Sequence, residues 1–422
     1  MKKLLTGFVS ALVVDAYLWD FTLTVFPVAN SKMILAVVGI FAFLLKGFEE
    51  HGLNLSRRVI TSAFLAFLFS FWCYIAITLN SSNEMAYVTY FASFATWVGG
   101  AYGAYALLKR LHGTVDLMLL TRYIAIVCVF QCGIALLIDN VAAVKSLVQS
   151  VFLAGYAFYE RVGRLYGIGC ALDPAGVRFS AILVLIAHQL VVEDRVRASF
   201  RHSSFLFIAF LIITVIGSMI ARTTIVGIGL GLAYLAIGNL RVERGGLVSR
   251  LQLMFSLLLL TIVAATVGLS IYLYHSSGFF HEQLRFGFEG FFNWVETGEF
   301  RTHSTDILME TMWVWPDTRR GWIIGEGRIG VFDIDSDIGY CNFVFYCGLI
   351  GLTIYSIYYI YNHLSLISKF RRFTVVALLL CAVTFIVWAK VMTDIFLIDA
   401  LLFCIDGDKD SPPEAEAPEP TS

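Results

Sequence analysis

Apolar residues run without alternation through twelve stretches of the chain, near 4–28, 32–46, 59–79, 86–108, 117–138, 176–192, 205–221, 222–239, 251–274, 339–361, 373–389 and 391–406. Most approach the ~20 residues that cross a bilayer as a helix. A barrel strand would instead alternate apolar and polar positions. The pattern predicts an all-α fold, a polytopic membrane helical bundle of about 12 transmembrane helices. Lys2 and Lys3 before an apolar run look like a signal peptide. The run continues to Val28, however, which predicts an uncleaved first helix.

Two connections are long, 139–175 and 275–338. The first carries Tyr156, Tyr159, Glu160, Arg161, Arg164, Tyr166, Asp173 and Pro174. The second contains two aromatic stretches with helical spacing, around Phe286–Trp294 and Ile307–Trp315. Ser304 or Thr305 is placed to cap the second stretch, Asp306 falls in its first turn, and Pro316 ends it. Helices this apolar beside a membrane lie at its interface or roof a cavity; a packed cap without a site is the plainer alternative. The chain then divides into N-terminal membrane helices (1–138), a first outer loop (139–175), central membrane helices (176–274), a large, partly helical outer loop (275–338), C-terminal membrane helices (339–406) and a disordered acidic tail (407–422).

Charge placement sets the expected orientation. With the amino terminus inside, the inner stretches hold 17 Lys and Arg residues. The short outer hairpins hold three: Lys32, Arg222 and Lys390. The two long loops are exempt, since long loops cross regardless of charge. Both termini are expected to be cytoplasmic.

Composition narrows the class. The chain is 59% hydrophobic and 14% charged, against about 25% charged in soluble domains, and its mean hydropathy is +0.79. That excludes a soluble enzyme with one anchor, and it excludes disorder. A net charge of −1 provides no basic face for nucleic acid. The eight cysteines form no CxxC pair and read as small core residues; Cys170 and Cys341 border the outer face, where a disulfide between them is open. No P-loop, HExxH or clustered ligand spacing occurs, so neither a metal nor a cofactor is expected. Gly227, Gly229 and Gly231 follow no strand and read as close helix packing.

Arginine is the informative residue. Arg222 lies between two apolar runs in SMIARTTIVGIGLGL. A guanidinium there needs a polar cavity or the interface, and an interface anchor with a snorkelling stem is the plainer reading. Arg164 and Arg178 flank YGIGCALDPAG. Arg301, Arg319, Arg320 and Arg328 lie in the second loop. Several convergent guanidinium forks would hold a pyrophosphate, although a single loop arginine is ordinarily just solvated. Asp335, Asp337 and Tyr340 occur in FDIDSDIGY, and His303 follows Arg301 by two. A carboxylate or imidazole there can take a proton from an acceptor hydroxyl. Helix capping is the alternative for the DSD run.

These pieces follow a familiar order. RLYGIGCALDPAGVRFS enters one helix and ARTTIVGIGLGL opens another. A large outer loop with GEFRTHS and GWIIGEGRIG follows, and then DSDIGYCNFVFYCGLIGLTIY. In this the chain resembles the O-antigen polymerase and O-antigen ligase superfamily, over about 164–361. The resemblance implies a membrane bundle whose large periplasmic loop roofs a lipid-open cavity. It implies metal-independent glycosyl transfer from undecaprenyl pyrophosphate in the bacterial inner membrane. Arg164, Arg222, Arg178 and Arg301 would hold the diphosphate. Ligases of the family carry a His just before the Gly-Leu-Ile-Gly helix. Here Asp335-Ser336-Asp337 stands in its place, which favours the repeat-unit polymerase and makes Asp335, Asp337 and His303 the candidate bases. Some polymerases show an Arg-x10-Gly spacing in two outer loops; Arg319 to Gly330 fits it, and Arg164 to Gly176 is one residue too long. The implied partners are an undecaprenyl-pyrophosphate-linked oligosaccharide, membrane lipids and a chain-length-regulating membrane protein. The competing readings are a ligase acting on lipid A core, a transporter or lipid flippase, and a structural membrane protein. The chain shows no internal repeat, which a two-halved transporter would carry.

Overall fold

The computed structural model describes residues 2–52, 55–240, 268–299 and 301–407. It is a helical bundle with one three-stranded scrap of sheet. The N-terminal part comprises α1 (Lys2–Leu18), α2 (Ser31–Glu49), α3 (Arg57–Leu79), α4 (Tyr90–His112) and α5 (Leu117–Asn140). The short α6 (Ala142–Val151) and α7 (Tyr156–Arg161) lead to α8 (Leu172–Val192), α9 (Phe200–Ile220) and α10 (Thr224–Leu240). Four short helices follow: α11 (Gly278–Gly287), α12 (Glu289–Thr297), α13 (His303–Thr311) and α14 (Arg319–Ile324). The chain re-enters the bundle as α15 (Gly339–Ser365), α16 (Thr374–Trp388) and α17 (Phe396–Cys404). Side-chain caps set several starts: Asn30, Ser56 and Asp116 accept the backbone N–H three residues on in α2, α3 and α5.

Among the described residues, six helices rather than twelve are long and apolar enough to cross a membrane: Ser31–Glu49, Arg57–Leu79, Leu117–Asn140, Leu172–Val192, Phe200–Ile220 and Gly339–Ser368. The expectation counted apolar runs, and a run is not a helix. The run 4–28 is helical only to Leu18. It then turns through a hairpin, Thr22–Leu23 against Phe26–Asn30, whose first strand also pairs with Phe152–Leu153. The stretches 222–239, 373–389 and 391–406 yield the shorter α10, α16 and α17. Most of 251–274 and the tail from 408 onward lie outside the described residues. The exposed surface is apolar: Val37, Phe41 and Phe48 of α2 are 69%, 63% and 77% exposed. No soluble helix leaves such a stripe in water, and the molecule is a membrane protein in that coarse sense. By contrast α8 is enclosed on nearly all sides, with 83% of its apolar window buried.

Glycine makes the closest approaches. A Cβ at Gly39 of α2 would lie 1.9 Å from the Gly99 carbonyl of α4, so the two helices meet backbone to backbone. Gly348 kinks α15 at φ +66°, where its space is closed by the Ile323 carbonyl. Of the three glycines of α10, Gly227 packs on Ser180 and Gly231 on Phe210, while Gly229 faces open space.

The bundle has two distinct ends. At one end Lys109 pairs with Asp406, Arg195 with Asp116, and Arg58 bonds Ser368. These connections are the ones that the charge pattern assigns to one side. At the other end lie the small sheet, the loop after α3 and the segments 278–334. There Asn80 bonds Gly325, Ser82 bonds Gly327 and Arg320 bonds the Leu79 carbonyl. Between the ends, the buried Tyr17 hydroxyl of α1 reaches the carbonyls of Trp97 and Leu397.

Candidate functional site

The second end carries two groups of charges. In the first, Arg178 of α8 donates to the Leu18 carbonyl at 2.6 Å and to Asp20 at 3.3 Å. Lys32 meets the same carboxylate at 3.0 Å, and Asn30 donates to its other oxygen. Burial pushes Asp20 up, but the two cations together hold it below its ordinary value. Arg178 also lies over the Trp19 ring at 5.5 Å. Its donors are spent on the turn after α1, so this residue closes a structural joint and does not face the cavity.

The second group is built by chain breaks. α9 passes through a π-helical turn, Ile213–Gly217, and stops at Ile220. Ala221–Thr223 bridge to α10, so Arg222 and Thr223 leave the helix axis at the bundle end. Asp173 is in the first turn of α8, where the helix N-terminus favours a carboxylate. Lys390 follows α16. Its ammonium donates to Asp173 at 2.7 Å and to the Thr223 hydroxyl at 2.8 Å. The Thr223 hydroxyl itself donates to Asp173. Arg222 is paired with Glu289 at the start of α12. Arg222 and Arg164 both lie over the ring of Phe286, at 4.5 and 5.3 Å from its centroid. Phe286, from the roof, thus spaces two guanidinium groups that come from separate parts of the chain.

Of these groups Arg222, Thr223, Glu289 and Lys390 border a cavity of about 160 Å³, together with Thr302 and Thr305; Ile225, Val226, Ile386 and Val387 are among its apolar walls, and Arg164 and Asp173 stand outside its lining. An engineered cavity of comparable size holds a benzene ring, so a phosphate-sized group fits. Burial, with Arg164 and Arg222 nearby, holds Lys390 below the ordinary lysine value against the pull of Asp173. Asp337 feels the same group: burial first, then the Asp173 carboxylate, push its carboxyl above the ordinary value, and Lys390 opposes them.

No family model, curated protein or solved structure matches this chain. The remaining candidates are therefore placed by geometry alone. Arg301 is engaged by Asp306, Glu299 and Glu310 on the exposed roof, so acids of its own segment hold it away from Arg222. Arg319 is exposed at the start of α14. Tyr340 donates to the Phe385 carbonyl at 2.8 Å and edges the Trp388 ring. Asp335 is exposed, with φ +55° after the turn Val331–Ile334. The side chain of His303 lies outside the described residues. Neither Asp335 nor Asp337 caps α15, whose N-terminus has no side-chain cap; the Ser336 hydroxyl accepts from the Ile338 N–H in the turn just before it. α13 is capped by Thr302, with Asp306 in its first turn, and it ends at Thr311, before Pro316. Cys170 and Cys341 are buried free thiols and not a disulfide. Among the described residues, no three His, Cys, Asp or Glu side chains gather as for a metal.

The structure thus joins Arg164 and Arg222 and adds Lys390, Asp173, Thr223 and Glu289, while Asp337 is exposed and is linked to the group only through the charges of Asp173 and Lys390. Lys390 had a visible signal, as one of only three cations on the sparse side of the charge pattern. Glu289 had none. Beside Asp337, Ser336 donates to the Met312 carbonyl at 2.6 Å. Trp313 and Trp315, both 36% exposed, follow Met312 directly. Trp315 stacks on Trp322 at 5.0 Å and 21°.

Proposed function

We propose that the chain is a membrane glycosyltransferase that polymerises undecaprenyl-pyrophosphate-linked repeat units into O-antigen or capsule-type polysaccharide. The reaction would take place at the periplasmic face of the inner membrane, with both termini cytoplasmic. The observation that carries the reading is the meeting of Arg222 and Lys390 on one cavity, with Arg164 over the same Phe286 ring as Arg222 and an exposed carboxyl, Asp337, raised within the field of Asp173. In this reaction the anomeric C–O bond to the lipid diphosphate breaks as the acceptor hydroxyl forms a new C–O bond. The hydroxyl proton passes to Asp337. Undecaprenyl pyrophosphate leaves with the negative charge, and the three cations stabilise it as it develops. Such a mechanism uses no metal. The partly exposed tryptophan stack that follows Met312 offers apolar ring faces to the sugars of the acceptor.

The group as it stands is balanced: three cations face Asp173, Glu289 and Asp337. A diphosphate must therefore displace Glu289 from Arg222. Glu289 opens α12 of the roof, so donor entry and roof position are coupled in this reading.

A second reading has its own support. α9 and α10 are interrupted at Arg222 and α15 is kinked at Gly348, and interrupted helices around a charged site are also the build of a transporter. One assay separates them. Purified protein is given lipid-linked repeat units in EDTA. Lengthening of the lipid-linked chain is the expected result. Transfer only to lipid A core identifies a ligase. Single repeats carried intact across a vesicle bilayer overturn the enzyme.

A further inference from the structure

The opposite end of the bundle holds a separate cavity of about 240 Å³, between the C-terminal end of α8, the start of α5 and the turn before α16. Its lining is bipolar. One wall is acceptor: the last turn of α8 presents its carbonyl end, and Glu193 and Asp194 follow directly. Gln189 belongs to this wall. It is 2% exposed, and its Oε1 has no hydrogen-bond partner among the described residues. A buried acceptor left unpaired is unfavourable by about 1–3 kcal/mol, so the position asks for a donor. The second wall is cationic: Arg371 and Arg372, exposed, with Arg372 at φ +56°. Neither guanidinium has an ion-pair partner among the described residues, whereas Glu193 and Asp194 already pair with Arg195 and Arg197. His188, the remaining polar group, is hydrogen-bonded to Tyr234.

A simple anion fits this cavity poorly, because the carboxylates and helix carbonyls oppose it. A simple cation is opposed by the two arginines. The complementary ligand carries a phosphate and an N–H-bearing cation a few ångströms apart. Apolar surface follows the cationic wall along the chain: Val375 and Leu378, on the first turns of α16 beyond Arg372, are 39% and 56% exposed. An acyl chain has an apolar track there. We infer that this cleft is a binding site for the phosphoethanolamine headgroup of a membrane lipid. The phosphate lies on Arg371 and Arg372, the ammonium donates to Gln189 and the α8 carbonyls, and an acyl chain runs along α16. This assignment is independent of the glycosyl-transfer reading.

The test is lipid retention by the full chain in detergent, measured by native mass spectrometry. Phosphatidylethanolamine, phosphatidylglycerol and phosphatidylcholine are supplied at equal concentration and chain length. Phosphatidylethanolamine should be retained roughly tenfold better than either, the ratio for one charge-assisted hydrogen bond. Phosphatidylcholine has the charge but no N–H, and phosphatidylglycerol lacks the cation. Gln189→Leu should reduce phosphatidylethanolamine to the phosphatidylcholine level, with the lipid-free melting temperature confirming that the variant folds. Arg371→Gln with Arg372→Gln should lower both lipids together. Preference for phosphatidylglycerol, or equal retention of all three, would overturn the assignment. So would displacement by soluble phosphoethanolamine at the same concentration, which would mean that the acyl chain contributes nothing.

Discussion

Arg178 and Arg222 stand at the same end of the bundle, and both are paired with acids. They differ in what remains to be done. Around Arg178 the donors and acceptors are matched inside the protein: one carboxylate, two cations, a backbone carbonyl and an indole face. Around Arg222 the partners come from a separate roof segment, and a cavity adjoins them. A buried charge with all its bonds made within the framework is a structural rivet. A charge whose partner can be withdrawn, with room beside it, is a binding group. The two arginines are alike in sequence context, since each flanks an apolar helix, so only their partners tell them apart.

This contrast is open to direct attack. The largest expected effect is at Arg222. Arg222→Ala and Arg222→Lys should each reduce chain lengthening by about 10²–10³, the loss typical of one preorganised donor to a developing anion. Their melting temperatures should stay near that of the wild type. Arg178→Ala should do the reverse. It leaves Asp20 with Lys32 and Asn30 and strips the Leu18 carbonyl of its donor, a loss of about 1–3 kcal/mol, so the melting temperature should fall by several degrees. If the two variants show the same pattern, the distinction fails.

Asp337→Asn should slow the reaction by about 10²–10⁴ if its carboxylate takes the proton. Its raised pKa adds a signature. The carboxyl stays protonated to a higher pH than a free aspartate, so the acid limb of the rate profile should be shifted upward from that of a free aspartate. An acid limb at the ordinary position would move the base elsewhere. Lys390 gives the alkaline counterpart. Its ammonium is held below the ordinary lysine value and loses charge earlier as pH rises. KM for the lipid donor should therefore rise at high pH in the wild type and not in Lys390→Arg. The smallest effect belongs to Glu289→Gln. It removes the carboxylate that competes with the diphosphate, and donor affinity should increase by up to about tenfold. Reduced affinity would show that Glu289 positions Arg222 instead of blocking it.

The sequence makes some of this legible. Unbroken apolar runs and the absence of alternation give a helical membrane bundle. The charge pattern groups Lys109, Arg195 and Arg58 on one side, and the structure puts those connections at one end. The span count fails because hydropathy cannot tell a helix from an apolar hairpin: Phe21–Val28 is as greasy as what precedes it, yet Pro27 and the pairing with Phe152–Leu153 make it strand. Arg222 is visible because a guanidinium between two apolar runs is expensive. Arg178 looks equally promising, since the Asp20 that consumes it lies 158 residues away. Glu289 and Phe286 are silent because nothing in a short amphipathic helix says which cation it will cover.

The hydroxyl of Tyr17 has a consequence for how the molecule is assembled. It belongs to α1, yet it bonds to a carbonyl 380 residues later. At about 5–20 residues per second, the ribosome reaches that partner roughly 20–75 s after Tyr17 itself has been added. For that interval α1 carries a polar group that its final surroundings have not yet enclosed. It has the Trp97 carbonyl as an earlier acceptor, and the interior closes over it only when α17 arrives. A chain interrupted before residue 397 is thus left with an incomplete seam along α1.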